Sequence, residues 1–202
     1  MDETAAALGV TLREDVARAV PKRRAEYVAG RHCAVEALRT VLAGFVGDIP
    51  TDSDRVTCWP RGVIGSITHT HGFASAAVAL LTHARGIGLD SERVLTQSAM
   101  RAVRRIGARA DDTLPASLGL ADEVYYALLF SAKESVFKCL YPQVRRMFGF
   151  QEVRVTFTRG LGVFQATMLV DLNDEVRVGF TIGGRWVVAE PLVHTGAVLE
   201  TS

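Results

Sequence analysis

The sequence predicts an α+β fold of two similar lobes, each a long helix packed on a small, mostly antiparallel sheet. Three observations predict it. Residues 22–44 and 122–140 carry apolar side chains at helical spacing. Each stretch is followed by three or four short runs of β-branched and apolar residues, separated by turn formers. The 202-residue chain has room for two such lobes of roughly 100 residues, so the boundary is expected between 105 and 106. A site at the seam of the two lobes is the default expectation.

The elements follow in order. In the first helix Tyr27, Ala34, Leu38, Val41 and Leu42 recur at helical spacing, and Gly44 is the expected stop. A loop rich in Asp, Ser and Pro covers 47–62. Then "VIGSIT", "FASAAVALL" and "GIGLD" read as strands. Residues 94–106 form a basic helix, and "DDTLPASLGL" at 111–120 a loop. The second long helix runs over 122–140, stopped by Pro142. "EVRVTF", "GVFQATMLV", "VRVGFTI" and "RWVVAE" complete an antiparallel meander.

Composition narrows the class. Hydrophobic residues make up 49% and charged residues 22%, as in a soluble globular protein. The net charge of +1 gives no overall pull toward nucleic acid or membrane, so neither is an expected partner, although basic residues cluster at 22–24 and 101–109. The three cysteines are far apart and make no CxxC, which argues against a zinc knuckle or a disulfide framework. There is no basic start followed by an apolar run, and no stretch approaching the ~20 apolar residues of a membrane span. The expectation is a cytoplasmic monomer.

The helix 122–140 poses the chemical question. At about 100° per residue, Tyr125, Leu128, Leu129, Ala132, Val136, Cys139 and Leu140 share one apolar arc. Phe130, Lys133, Glu134, Phe137 and Lys138 lie opposite. One reading is a solvated face with a Glu134–Lys138 pair contributing roughly a few tenths of a kcal/mol. The other is a face that Phe130 and Phe137 pack against the other lobe or a ligand. Charges on such a face are partly desolvated and need partners. The carboxylate suits a metal ion, and the two ammonium groups suit phosphate.

Two further stretches fit that second reading. In "GIGLDSE", Asp90 and Glu92 at i,i+2 on a strand point to one side and can share a hard cation. Gly86 and Gly88 keep the backbone slim where something else approaches. The plainer alternative is a solvated strand end, with Ser91 as the cap of the next helix. On the first long helix, Arg24 and Arg31 lie two turns apart on one face with Arg23 just beside it. Arginine forks suit phosphate, and a solvated basic face is the alternative. His69 and His71 in "GSITHTHG" share a strand face. No third ligand stands at zinc spacing, so His69 reads as a phosphate donor or as a structural histidine.

In order along the chain stand RxxEYxxGRxCAxxAL from Arg23, WPxGxxGSITH from Trp59, GLDSE from Gly88 and FSAKESxFKxLYP from Phe130. This series resembles the 4′-phosphopantetheinyl transferases, most nearly the short, enterobactin-synthase type of the Sfp-like group. It spans 23 to about 142, with GxD and KExxxK as its most specific parts. The resemblance implies a pseudo-dimeric α+β fold with coenzyme A, the substrate, in the cleft between lobes. It implies transfer of the phosphopantetheine arm to a serine of an acyl, peptidyl or aryl carrier protein, with release of adenosine 3′,5′-bisphosphate. Asp90, Glu92 and Glu134 match the family's ligands to magnesium, for which manganese can substitute. Glu134 also matches the general base, acting directly or through water, and Lys138 a catalytic phosphate contact. Lys133 matches a further phosphate contact, Thr68 and His69 the 3′-phosphate contact, and Arg23, Arg24 and Arg31 the nucleotide phosphate contacts. Relatives carry a Lys or Arg shortly before WPxG; the nearest here is Arg55.

Arg101, Arg104, Arg105 and Arg109 offer a basic surface to an acidic carrier, with a solvated basic helix as the other reading. The competing functions are a catalytically silent coenzyme A-binding module, a nucleic-acid binder and a magnesium-dependent phosphohydrolase. The unbroken set Asp90, Glu92, Glu134 and Lys138 speaks against the first, and the balanced charge against the second.

Overall fold

The computed structural model describes residues 2–112, 115–158 and 160–201. The chain divides into two units, residues 1–85 with the last two residues, and residues 86–200. No helix among the described residues is long and apolar enough to cross a membrane.

The first unit holds α1 (Asp2–Ala7), α2 (Glu14–Ala17), α3 (Pro21–Val41), β1 (Val63–Thr70) and β2 (Phe73–Leu80). Pro21 opens α3 at a position where its missing N–H costs nothing and its φ is already helical. The helix stops at Val41, and Gly44 takes φ +73° in the turn beyond. β1 and β2 form an antiparallel hairpin closing at Thr70↔Phe73, so His71 lies in the turn and no longer shares a strand with His69. The helix lies on the hairpin through Gly30, where a Cβ would come 2.9 Å from Ile67 Cγ2. Ala34, Val35, Leu38, Ile49 and Val63 form the core beneath it.

The second unit is a five-stranded sheet in the order β3-β7-β6-β5-β4, with α6 on it. Its elements are β3 (Ala84–Arg93), α4 (Gln97–Gly107), α5 (Pro115–Leu118), α6 (Asp122–Val144), a 3-10 turn (Phe150–Glu152), β4 (Val153–Thr158), β5 (Val163–Met168), β6 (Thr181–Ala189) and β7 (Leu192–Glu200). The pairs β4/β5, β5/β6 and β6/β7 are antiparallel. The sheets of the two units are therefore unequal, two strands against five.

Several expectations are corrected. The boundary at 105/106 would cut α4, whose Met100 and Val103 are buried in one core with α6; the division falls at 85/86. β3, read as the third strand of the first lobe, sits at the edge of the second unit's sheet. α6 continues past Leu140 to Val144 with Pro142 inside its last turn. There the proline removes one bond close to carbonyls that lose their partners anyway, and Arg145, at φ +50°, ends the helix. Of the strand expected over 176–182 only Thr181 and Ile182 are in a strand, as the start of β6. Asp171 Oδ1 accepts from Val178 N at 2.8 Å and Asn173 Oδ1 from Val176 N at 2.7 Å, drawing that backbone into turns. "RWVVA" continues the longer β6, Glu190 falling in the turn beyond it, and β7, with Val193, Thr195, Ala197 and Leu199 buried, was not anticipated. Of the loop expected at 111–120, residues 113 and 114 lie outside the described residues.

Candidate active site

Glycine decides how close α6 comes to β3. On one face of β3, a Cβ at Gly88 would lie 1.7 Å from Ser135 O, and one at Gly86 2.7 Å from Cys139 O. The helix main chain therefore rests on the strand main chain. By alternation the same face carries Asp90 and Glu92 next in line, while α6 carries Glu134 and Lys138 beside the contact.

These groups interact. Lys138 Nζ donates to Asp90 Oδ1 at 2.6 Å and to Leu89 O at 3.2 Å. Asp90 is 4% exposed, and its Oδ2 is buried with no hydrogen-bond partner. Burial, then the charges of Asp90 and Glu134 against the opposing pull of Lys138, push Glu92 up to about 7. Burial first and Asp90 second also raise Glu134, again against Lys138. Three carboxylates thus share one ammonium, and full ionisation leaves an excess of negative charge. A hard cation relieves that excess. Among the described residues no three His, Cys, Asp or Glu side chains stand close enough to enclose an ion as placed. Magnesium needs no such cage, because it keeps water and takes one or two carboxylates. The orphaned Asp90 Oδ2 is a fitting first ligand.

The two faces of the α6 question receive different answers. Phe130 packs edge-on against Phe150 at 5.1 Å, and Phe137 against Tyr141 and Phe148 at 5.0 and 5.1 Å. The packed face is therefore covered by the 148–150 segment of the same unit. Lys133 is the correction here. Instead of facing a phosphate, its ammonium is buried at 2.9 Å from Asp112 Oδ2 and 3.0 Å from Phe150 O. Asp112 also accepts from Arg109 N at 2.8 Å and Val155 N at 2.7 Å, so it ties its loop, α6 and β4 together. The adjacent acids at 111–112 were visible in the sequence, but not their separate fates. Next to Glu134 an apolar cavity of about 240 Å³ opens between Phe137, Met147, Phe148, Phe150 and Val153. On the opposite face of β3, Ser91 does not cap α4. Thr96 does, accepting from Ala99 N, while Ser91 Oγ lies 2.9 Å from His194 Nδ1 on the unforeseen β7. Burial holds His194 below the usual imidazole range, with Asp90 opposing.

The first unit carries a second polar cleft of about 210 Å³. Arg23, Arg31 and His69 line it, as do Arg13, Glu26, Tyr27 and Arg55. Arg23 Nη1 is 2.8 Å from His69 Nε2, and Glu26 Oε2 is 3.7 Å from His69 Nδ1. Arg31 is 5% exposed, donates to Ile49 O at 2.7 Å and lies over the Tyr27 ring at 5.1 Å. Arg24 and Thr68 are not among the lining residues. Arg24 reaches back to Ala17 O at 3.4 Å, and Thr68, next to His69 on a strand, points to the other face and is 1% exposed. Arg13, held bidentately by Asp15 and donating to Thr51 Oγ1 at 2.7 Å, had no sequence motif to announce it.

Both units match family models. Residues 12–79 match the 4′-phosphopantetheinyl transferase N-terminal domain, and residues 86–179 the 4′-phosphopantetheinyl transferase superfamily. The 4′-phosphopantetheinyl transferase PptT of Mycobacterium tuberculosis is 34% identical over 200 residues, which cover 91% of this chain and 82% of that protein. The chain belongs to the 4′-phosphopantetheinyl transferase superfamily. The transferase Npt of Nocardia iowensis is 32% identical over 198 residues, covering 89% of this chain and 84% of the relative. Enterobactin synthase component D of Salmonella typhimurium is 38% identical over 138 residues, covering 67% of this chain and 55% of the relative. The matches bear out the family read from the motifs, and nothing in them favours a catalytically silent coenzyme A-binding module.

Proposed function

We propose that the protein transfers the 4′-phosphopantetheine arm of coenzyme A to a serine hydroxyl of an acyl, peptidyl or aryl carrier protein. The observation that carries this is the meeting of Asp90, Glu92, Glu134 and Lys138 where α6 rests on Gly86 and Gly88. Transfer is a displacement at phosphorus. The serine oxygen attacks the pantetheine-bearing phosphorus, the bond from that phosphorus to the bridging oxygen breaks, and adenosine 3′,5′-bisphosphate leaves with that oxygen.

Asp90, together with Glu92 or Glu134, would hold magnesium, which would supply charge neutralisation for the pyrophosphate. Glu134, held above the usual carboxylate range, accepts the serine proton directly or through one water. Lys138 faces the charge that grows on the transferring phosphoryl group. The apolar cavity beside Glu134 has walls suited to the pantetheine chain. Arg23, Arg31 and His69 of the first unit take the nucleotide phosphates, and Arg55 stands where a basic residue before WPxG is wanted. Arg101, Arg104 and Arg105 are exposed on α4 and meet the acidic carrier, whereas Arg109 is occupied by Asp111 and Gln151 O.

The test is intact mass spectrometry of an apo carrier incubated with the protein, coenzyme A and magnesium. A mass gain of one phosphopantetheine arm is expected, and Glu134→Gln or a chelator should abolish it. Coenzyme A binding without any mass gain on carriers of all three kinds would overturn the proposal.

A further inference from the structure

Glu26 stands inside the RxxEY motif without an assigned role. It lies on α3 one turn beyond Lys22, with its Oε1 3.8 Å from Lys22 Nζ and its Oε2 3.7 Å from His69 Nδ1. The other ring nitrogen of His69 faces Arg23 at 2.8 Å. Arginine can only donate, so in this arrangement Nε2 accepts and the ring proton sits on Nδ1, toward Glu26. A phosphate cannot be met that way. Its oxygens only accept, so Nε2 must carry a proton too. With Nδ1–H on the side of the Glu26 carboxylate, 3.7 Å away, the ring that meets a phosphate is the imidazolium. Arg23, released from Nε2, can then turn its N–H groups onto the same anion.

We infer that Glu26 is a positioning residue for phosphate capture: its carboxylate faces Nδ1 of His69 at ion-pair distance and favours the charged ring, so that Nε2–H reaches a phosphomonoester as part of a cation. This rests on the reading that the cleft of the first unit takes the 3′-phosphate of coenzyme A. Capture is then coupled to uptake of a proton by His69. The charged groups facing the cleft allow this. From α3 they are Arg23, Glu26 and Arg31, with Tyr27, and Lys22 stands beside Glu26; from α2 there is Asp15, and from the loops Arg13 and Arg55. Arginine stays charged across the range in question. Asp15 is held below the usual carboxylate range by its hydrogen bonds from Arg13. Glu26 is the carboxylate of the cleft within salt-bridge distance of the ring.

The experiment compares coenzyme A with 3′-dephospho-coenzyme A by calorimetry on the full chain at pH 7 and pH 8.5. A phosphomonoester is already largely a dianion above its second pKa near 6, so a fall in this interval belongs to the protein. The wild type should prefer coenzyme A by about tenfold or more at pH 7, and several-fold less at pH 8.5. His69→Gln should lower the preference and make it flat with pH. Glu26→Gln should lower it several-fold at pH 7 while leaving the affinity for the dephospho form unchanged. Titrations of the wild type in two buffers of different ionisation enthalpy count the protons directly and should show net uptake at pH 8. Wild-type preferences in Glu26→Gln at both pH values, or no proton uptake, overturn the role of Glu26 while leaving the phosphate site standing. A wild type that does not distinguish the two ligands overturns the phosphate reading of the cleft itself.

Discussion

Gly88 on β3 lies so close to Ser135 on α6 that a Cβ at position 88 would stand 1.7 Å from the Ser135 carbonyl oxygen. That approach sets the separation between the strand bearing Asp90 and Glu92 and the helix bearing Glu134 and Lys138. The obstacle to a larger residue is main chain, which cannot rotate away as a side chain can. Gly88→Ala should therefore lift the helix off the strand, at a cost of about 1–3 kcal/mol. Thermal unfolding should show a lower midpoint, and carrier modification at saturating coenzyme A should fall at least tenfold. A variant with wild-type turnover would show that the catalytic groups do not depend on this contact.

Lys133 and Asp112 form an ion pair with side chains 0% and 1% exposed. Removing one partner leaves the other charged and enclosed. Lys133→Met should cost about 3–5 kcal/mol in urea unfolding. The double variant Lys133→Met with Asp112→Leu should recover part of that loss, although the backbone donors of Arg109 and Val155 then lack their acceptor. If Lys133 instead served coenzyme A, Lys133→Met would weaken binding with stability unchanged.

Stability should depend on pH through Glu92. Its carboxyl is raised from 4.5 to about 7, burial being the largest cause and Asp90 the next. Between those values the folded protein keeps a proton that the unfolded chain has released. The contribution is therefore full below about 4.5 and is lost as pH rises through about 7. Chelator-treated protein should lose stability from pH 5 to pH 8. Glu92→Gln should remove part of that slope, on the order of 1–2 kcal/mol with solvent screening of a partly exposed group allowed for. An identical slope in both proteins, measured by denaturant titration, would exclude this origin.

Lys138 and a metal ion compete for the same carboxylate, because the ammonium holds Asp90 Oδ1 at 2.6 Å. Lys138→Gln should lower the transfer rate about a hundredfold or more, through loss of a charge aimed at the reacting phosphoryl group. It should not weaken magnesium binding. Rates measured across a magnesium series would separate the two effects, and a defect cured by more magnesium would contradict the assignment.

Local chemistry in the sequence was enough for much of this. Helical spacing in 122–140, the alternation that puts Asp90 and Glu92 on one face, and the glycines beside them needed only periods of 3.6 and 2 and the absence of a Cβ. The order of the motifs was enough for the family. Tertiary structure alone decided which charges are spent on the fold. Lys133 and Lys138 look alike on paper, yet one is enclosed by Asp112 and the other left partly open beside Asp90. Arg24 and Arg23 are neighbours, yet one turns back to Ala17 and the other meets His69. The same holds for β3, which pairs with a strand about a hundred residues later in the chain. The physical reason is common to all three. Short-range periodicity sets where a side chain points, but its partner is chosen by whichever distant segment the packing brings within hydrogen-bond reach.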